Sequence, residues 1–161
     1  MTDILFGDVF NKNTIDISNK VFENKDELFS FMTDLFLNAE CIIDKEVFLN
    51  ALYERENEGS TYMGEGIAVP HGKSSTVVKA SAAFCRCKPF QYESNDEQGK
   101  VWLIIMLAIP KGTNDDTYVR SLANISRLLI NSRFRNALEN SINIDEILQI
   151  GKEELNKLIA F

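Results

Sequence analysis

The chain has 161 residues, with 17 Lys and Arg against 24 Asp and Glu, so it carries a net charge of −7. That balance argues against nonspecific nucleic-acid binding, which needs basic surface to displace counterions. Hydrophobic residues at 45% and charged residues at 25% are ordinary for one globular domain, residues 1–161, with a single substantial core. No apolar run reaches membrane-spanning length, and Met1-Thr2-Asp3-Ile4-Leu5-Phe6 lacks the basic start and apolar stretch of a signal peptide. A cytoplasmic protein without direct membrane insertion is expected.

In chain order, Asn13-Thr14-Ile15-Asp16-Ile17 alternates polar and apolar residues and reads as a first strand. Asn24 and Glu27 form a capping pair for a helix from about Lys25 to Asn38, with Leu28, Met32, Leu35 and Phe36 at helical spacing. Asp44 caps a second helix that places Phe48, Leu52 and Arg55 on one face. Residues 57–66 read as a loop with three glycines. The β-prone run Ile67-Ala68-Val69 then leads to a Pro70-His71-Gly72 turn that presents the ring at a strand end.

Val77 to Cys87 reads as a strand, and Lys88 to Lys100 as a polar excursion. Val101 to Leu107 is a continuous apolar run suited to a strand covered on both faces. Thr117 to Leu129 is helical, with Val119, Leu122, Ile125, Ser126 and Leu129 on one side. Phe134–Leu138, Ile144–Ile150 and Glu153–Ile159 read as three short helices. Strands interleaved with helices around a doubly covered strand indicate a three-layer α/β/α domain. Cys41, Cys85 and Cys87 have neither disulfide nor zinc spacing and read as small buried hydrophobes in a reducing compartment. Arg120, Arg127, Arg133 and Arg135 form the one basic segment suited to a phosphorylated partner, with a solvated helix surface as the plainer reading.

His71 is the only histidine in the chain. Arg55, Ser60, Thr61, Glu65 and Lys73 lie near it in sequence, and several of them supply donors that would neutralise a phosphoryl dianion on the ring. Each also has a plainer role: Arg55 as a helix terminator, Ser60 and Thr61 as turn residues, Glu65 and Lys73 as exposed charges. One histidine among scattered carboxylates gives no metal-ligand spacing, no nucleophile elbow supports a hydrolase, and no phosphate loop of nucleotide-binding type is found. No metal, nucleotide or other cofactor is expected.

Arg55-Glu56, Gly59-Ser60-Thr61 and Gly64-Glu65-Gly66-Ile67-Ala68-Val69-Pro70-His71-Gly72-Lys73 together resemble the fructose/mannitol-type enzyme IIA domain of the phosphoenolpyruvate-dependent sugar phosphotransferase system. The resemblance continues through Val101–Leu107 and Ala108-Ile109-Pro110 into the helix with Leu122, Ile125 and Leu129. It implies a three-layer α/β/α sandwich with a mixed β-sheet, in a stand-alone IIA unit without attached IIB or IIC. It further implies a phosphoryl group accepted on His71 from the phosphocarrier HPr, stabilised by Arg55, and passed to a cysteine of a cognate IIB serving a membrane IIC. Ser60, Thr61, Glu65, Lys73 and Tyr118 are the further candidates for phosphoryl binding.

The chain departs from the family at one place. Many members carry a second histidine near the start of the helix after the Ile-Pro segment, where this chain has Tyr118. A tyrosine hydroxyl donates a hydrogen bond but does not become cationic. A regulatory IIA of the nitrogen-related type, and a non-catalytic interaction domain on the same scaffold, are the alternative readings.

Overall fold

The computed structural model describes Phe10 and residues 12–92 and 99–159. A 3-10 turn at Lys12–Thr14 leads into β1 (Ile15–Lys20), and α1 (Lys25–Asn38) and α2 (Lys45–Glu58) follow. Three short strands come next, β2 (Tyr62–Gly64), β3 (Ile67–Ala68) and β4 (His71–Ser74), then the long pair β5 (Ser81–Gln91) and β6 (Lys100–Pro110). Helices α3 (Asp115–Leu129), α4 (Ser132–Asn140) and α5 (Ile144–Ile159) complete the chain.

The apolar run in β6 organises the molecule. β5 pairs antiparallel along one side of it, and β1 lies parallel to β5 at the edge. The other side of β6 is shared: β3 pairs parallel with Leu103–Ile104, and β4 pairs parallel further along, His71 opposite Leu107. β2 runs antiparallel to β3 and completes the mixed sheet. Successive side chains alternate between faces. Leu103, Ile105, Leu107 and Ile109 pack with Ile125, Leu128, Phe134 and Leu138 of α3 and α4. Ile104, Met106 and Ala108 pack with Phe29, Phe36, Phe48 and Leu52 of α1 and α2, together with Cys85 and Cys87. The three-layer α/β/α sandwich with a mixed sheet is therefore the observed architecture.

Several local expectations are corrected. The first strand starts at Ile15 because residues 12–14 turn, where the Thr14 hydroxyl donates to the Ala82 carbonyl at 2.9 Å. The glycine-containing segment is not all loop: α2 continues to Glu58, and β2 forms within it by pairing with β3. β5 starts at Ser81, four residues later than the apolar pattern implies, and extends to Gln91 because β6 offers partners as far as Lys100. The remainder of the polar excursion, residues 93–98, lies outside the described residues. The last two short helices are one continuous α5 through the buried Gly151. A mid-helix glycine costs about 1 kcal/mol, which the packing of Ile147 and Leu155 into the core offsets. Val119 is 64% exposed instead of facing the core, so the buried stripe of α3 is carried by Ile125, Leu128 and Leu129.

The caps explain where the helices begin. Asn24 accepts from the Glu27 N–H at 2.9 Å, and Glu27 reaches back to the Glu23 N–H at 3.0 Å, one residue earlier than the standard box. Asp44 accepts from the Val47 N–H at 3.2 Å. All three cysteines are free and buried, and Cys85 is pushed up by its contact with Cys87 and by burial, so its thiol stays protonated.

Candidate functional site

His71 is not in a turn. β3 ends at Ala68, and after Val69 and Pro70 His71 begins β4, whose backbone is held by Leu107–Pro110 of β6. Nor is the ring projected into open solvent: the residue is 5% exposed and lies in a cleft of about 190 Å³. That volume is several times the ~30 Å³ share of one water, room enough for a phosphoryl group. Arg55, Ser60, Thr61, Met63, Val69, Leu122 and Ser126 line the cleft with it. Met63 and Val69 give the cleft an apolar edge, while Ile67 is buried in the core.

Both ring nitrogens have partners. Nδ1 lies 3.0 Å from the Val69 carbonyl, and Arg55 Nε–H donates to Nε2 at 3.2 Å. A carbonyl only accepts and a guanidinium only donates. The pair of contacts therefore assigns the proton to Nδ1 and leaves on Nε2 an unprotonated lone pair that accepts from Arg55. Burial lowers the basicity of His71 below its ordinary value, opposed by the Val69 hydrogen bond and assisted by the Arg55 charge. The ring is consequently neutral at neutral pH, with an unprotonated Nε2 of the kind that can act as a nucleophile.

Arg55 sits in the last turn of α2, where it fills two roles at once. Nη1 donates to the Gly59 carbonyl at 2.7 Å, which secures the helix end, while Nε reaches His71. Phe48 and Leu52 on the same face are fully buried, so the helix has no freedom to rotate the guanidinium away. Gly72 permits this approach: a Cβ there would lie 3.2 Å from the Ala51 Cβ and 3.3 Å from the Leu52 nitrogen.

Of the remaining predicted residues, the fold brings Ser60 and Thr61 into the cleft. Ser60 Oγ accepts from the Tyr62 N–H at 3.0 Å. Thr61 is buried, and its hydroxyl is directed to the Glu56 carboxylate. Tyr118 packs edge-on against the imidazole, with ring centroids 5.8 Å apart, and Lys73 Nζ lies 5.6 Å over the tyrosine ring. Lys73 thus contacts Tyr118, and it also lies 3.8 Å from Asp115 and borders a separate groove with Asn50, Glu54 and Lys111. Glu65 is displaced from the site. Its side chain is 88% exposed at the β2–β3 turn, where Arg135 holds both its carboxylate (3.4 Å) and its backbone carbonyl (2.5 Å). Arg135 also pairs with Glu139 within α4, and Arg133 pairs with Glu153 and Glu154, linking α4 to α5.

Sequence reasoning places Ser126 on the same side of α3 as Leu122 but not in the site, whereas the fold brings both into the cleft. Glu56 and Tyr92 were likewise missed as neighbours of Thr61, because nothing local in the chain signals their meeting. Among the described residues no cluster of His, Cys, Asp and Glu is arranged to hold a metal ion, and no helix is long and apolar enough to cross a membrane.

A family model described as "Phosphoenolpyruvate-dependent sugar phosphotransferase system, EIIA 2" matches residues 8–154. The chain is 32% identical over 131 residues to the PTS system 2-O-alpha-mannosyl-D-glycerate-specific EIIABC component of Escherichia coli, covering 81% of this chain and 20% of that protein. It is 32% identical over 144 residues to the PTS system fructose-specific EIIABC component of Bacillus subtilis, covering 89% and 22%. The chain thus spans about a fifth of the length of these relatives. Among solved structures, the nitrogen regulatory protein IIA-Ntr from Neisseria meningitidis superposes with a TM-score of 0.78 at 25% identity, covering 90% of this chain and 97% of that one.

Proposed function

Because the chain belongs to the EIIA type 2 family of the phosphoenolpyruvate-dependent sugar phosphotransferase system, we propose that it is a cytoplasmic phosphoryl carrier, a IIA domain that is charged and discharged on His71 Nε2. The observation that carries this reading is the neutral ring itself: Nδ1 tied to the Val69 carbonyl, Nε2 unprotonated, and Arg55 Nε at 3.2 Å within a cleft of phosphoryl size. Nε2 attacks the phosphorus of phosphohistidine on HPr. The new N–P bond forms as the donor's N–P bond breaks, and that electron pair returns to the donor imidazole. The proton on Nδ1 stays in place, and the Val69 carbonyl stabilises the positive charge that develops on the ring. Arg55 moves its hydrogen bond from Nε2 to the phosphoryl oxygens, keeping its anchor on Gly59.

In the second half of the cycle a cysteine thiolate of a cognate IIB attacks the same phosphorus. The N–P bond to His71 breaks, and the ring recovers its lone pair. IIB in turn serves a membrane IIC that takes up the sugar. Phosphoryl transfer has a loose transition state, so alignment and charge stabilisation do most of the work. Met63, Val69 and Leu122 exclude water that would otherwise hydrolyse the phosphohistidine. Ser60 and Ser126 bring hydroxyls to the cleft wall, Thr61 brings one already committed to Glu56, and Tyr118 packs on the imidazole with Lys73 over the tyrosine ring.

The test is phosphorylation by phosphoenolpyruvate, enzyme I and HPr, with His71→Ala as the silent variant, followed by discharge to a IIB. A second reading, a regulator of the nitrogen-related kind, is supported by the likeness to the Neisseria protein. Pull-downs with phosphorylated and unphosphorylated protein separate the two: capture of a IIB supports transport, whereas state-dependent capture of a kinase or transporter subunit supports regulation.

A further inference from the structure

Glu56 follows Arg55 in the last turn of α2, and neighbouring helix residues point about 100° apart. Arg55 reaches His71; Glu56 turns the other way, into the protein, with its side chain 6% exposed. Two costs attach to it there. A carboxylate near a helix C-terminus opposes the helix dipole, and a buried carboxylate loses its hydration. The surroundings compensate. Lys25 Nζ lies 3.0 Å from Oε2, and the hydroxyls of Tyr92 (3.0 Å) and Thr61 both donate to Oε1. The Lys25 ammonium also lies 4.2 Å over the Tyr92 ring, and the two hydroxyl oxygens are 2.7 Å apart.

Thr61 connects this cluster to the nucleophile. Its hydroxyl is fixed by Glu56, while its backbone carbonyl accepts the Val69 N–H at 3.0 Å. The Val69 carbonyl in turn faces His71 Nδ1 at 3.0 Å. One residue at the mouth of the cleft is therefore held by its side chain to a buried ion pair and by its main chain to the partner of the imidazole. Thr61 and Tyr92 bring one hydroxyl proton each to three close oxygen contacts, two with Glu56 and one with each other, so the three groups are held as one hydrogen-bonded cluster.

We propose that Glu56 is a positioning residue: with Lys25 and Tyr92 it anchors Thr61, and through Thr61 and the Val69 carbonyl it holds His71 as the Nδ1–H tautomer with Nε2 directed into the cleft. The catalytic part of this inference rests on the carrier reading above; the structural part does not. Its cost in stability has a purpose under this reading, because a misplaced nucleophile slows transfer without weakening donor docking.

His71 is the only histidine, so the imidazole 15N spectrum reports on this one ring. Spectra are recorded at about pH 8, well above the reference pKa of about 6.5, for wild type, Glu56→Ala, Tyr92→Phe and the Lys25→Met/Glu56→Gln double variant. The double variant keeps an acceptor for both hydroxyls and removes the charge pair. Wild type and the double variant are expected to show the Nδ1–H tautomer, and Glu56→Ala a mixture of tautomers. Transfer from phospho-HPr is expected to fall roughly tenfold to hundredfold in kcat for Glu56→Ala, with KM for phospho-HPr unchanged and kcat largely restored in the double variant. An unchanged tautomer and unchanged kcat in folded Glu56→Ala overturn the proposal. Should Glu56→Ala fail to fold, Tyr92→Phe, which removes one of the two anchoring hydroxyls, decides by the same two readouts. A tautomer shift in Glu56→Ala beside a wild type that accepts no phosphoryl group would overturn the carrier reading and leave the positioning of His71 standing.

Discussion

Replacing Gly66 with alanine perturbs the turn that feeds the His71 strand, and the structure supplies its own control. Gly64, Glu65 and Gly66 are three successive residues in the left-handed region, with φ of 86°, 53° and 82°. An L side chain there costs about 1–2 kcal/mol. At Gly64 an added Cβ meets nothing within 4 Å, so Gly64→Ala reports that conformational cost alone. At Gly66 the same atom would lie 2.5 Å from Trp102 Cε2. The backbone has little room to retreat, because the Gly66 carbonyl accepts from both the Trp102 N–H (2.9 Å) and the Leu103 N–H (3.1 Å) of β6. Overpacking of this kind adds about 1–3 kcal/mol, so Gly66→Ala should cost about 2–5 kcal/mol in all, a large share of the ~5–15 kcal/mol that holds a domain folded. Urea unfolding followed by the fluorescence of the single tryptophan measures both variants. Equal losses for Gly64→Ala and Gly66→Ala, within about 0.5 kcal/mol, would refute the steric argument.

Further outcomes follow from the site. Arg55→Ala should lower phosphoryl acceptance by roughly 10²- to 10³-fold, the usual effect of removing one charge-stabilising donor; it should also raise the pKa of His71, read by NMR titration, because the guanidinium disfavours the imidazolium. In wild type, acceptance should hold level as pH falls from neutral to about 6.5 and decline only below that, as the ring protonates at its lowered pKa. Stability has the matching sign: the unfolded chain binds this proton first, so the His71 contribution falls from about pH 6.5 downward through the folded pKa, and a histidine-dependent rise in stability on acidification would contradict it. Tyr118→Ala should return the His71 pKa toward its ordinary value by admitting water to the ring edge, whereas Tyr118→Phe, which keeps the edge-on packing, should leave it low.

The elements legible in the chain are those whose signals are local. Asn24 and Asp44 cap the helices they precede, and the Val101–Leu107 run is the doubly covered strand it resembles. β4 is different. His71-Gly72-Lys73-Ser74 has no β-branched residue and no Phe, Tyr or Trp, and it becomes a strand because β6 supplies the ladder and α2 packs on Gly72. The meeting of Arg55 with His71 was legible from the order of residues around the Pro70-His71-Gly72 segment, through the family resemblance that order carries. Glu65 was not separable from them by position, since only the Arg135 contact from α4, 70 residues away, shows where it is held. The Glu56 cluster was hidden for the same reason: its partners Lys25 and Tyr92 lie 31 and 36 residues from it, so burial and pairing emerge only when α1, α2 and β5 are folded together.

The central claim is most directly tested by incubating the purified protein with phosphoenolpyruvate, enzyme I and HPr, and reading intact mass for wild type and His71→Ala. The account predicts one added phosphoryl group on wild type, lost in acid as a phosphohistidine, and none on the folded variant. Phosphorylation retained in His71→Ala, or absent from folded wild type, would contradict it.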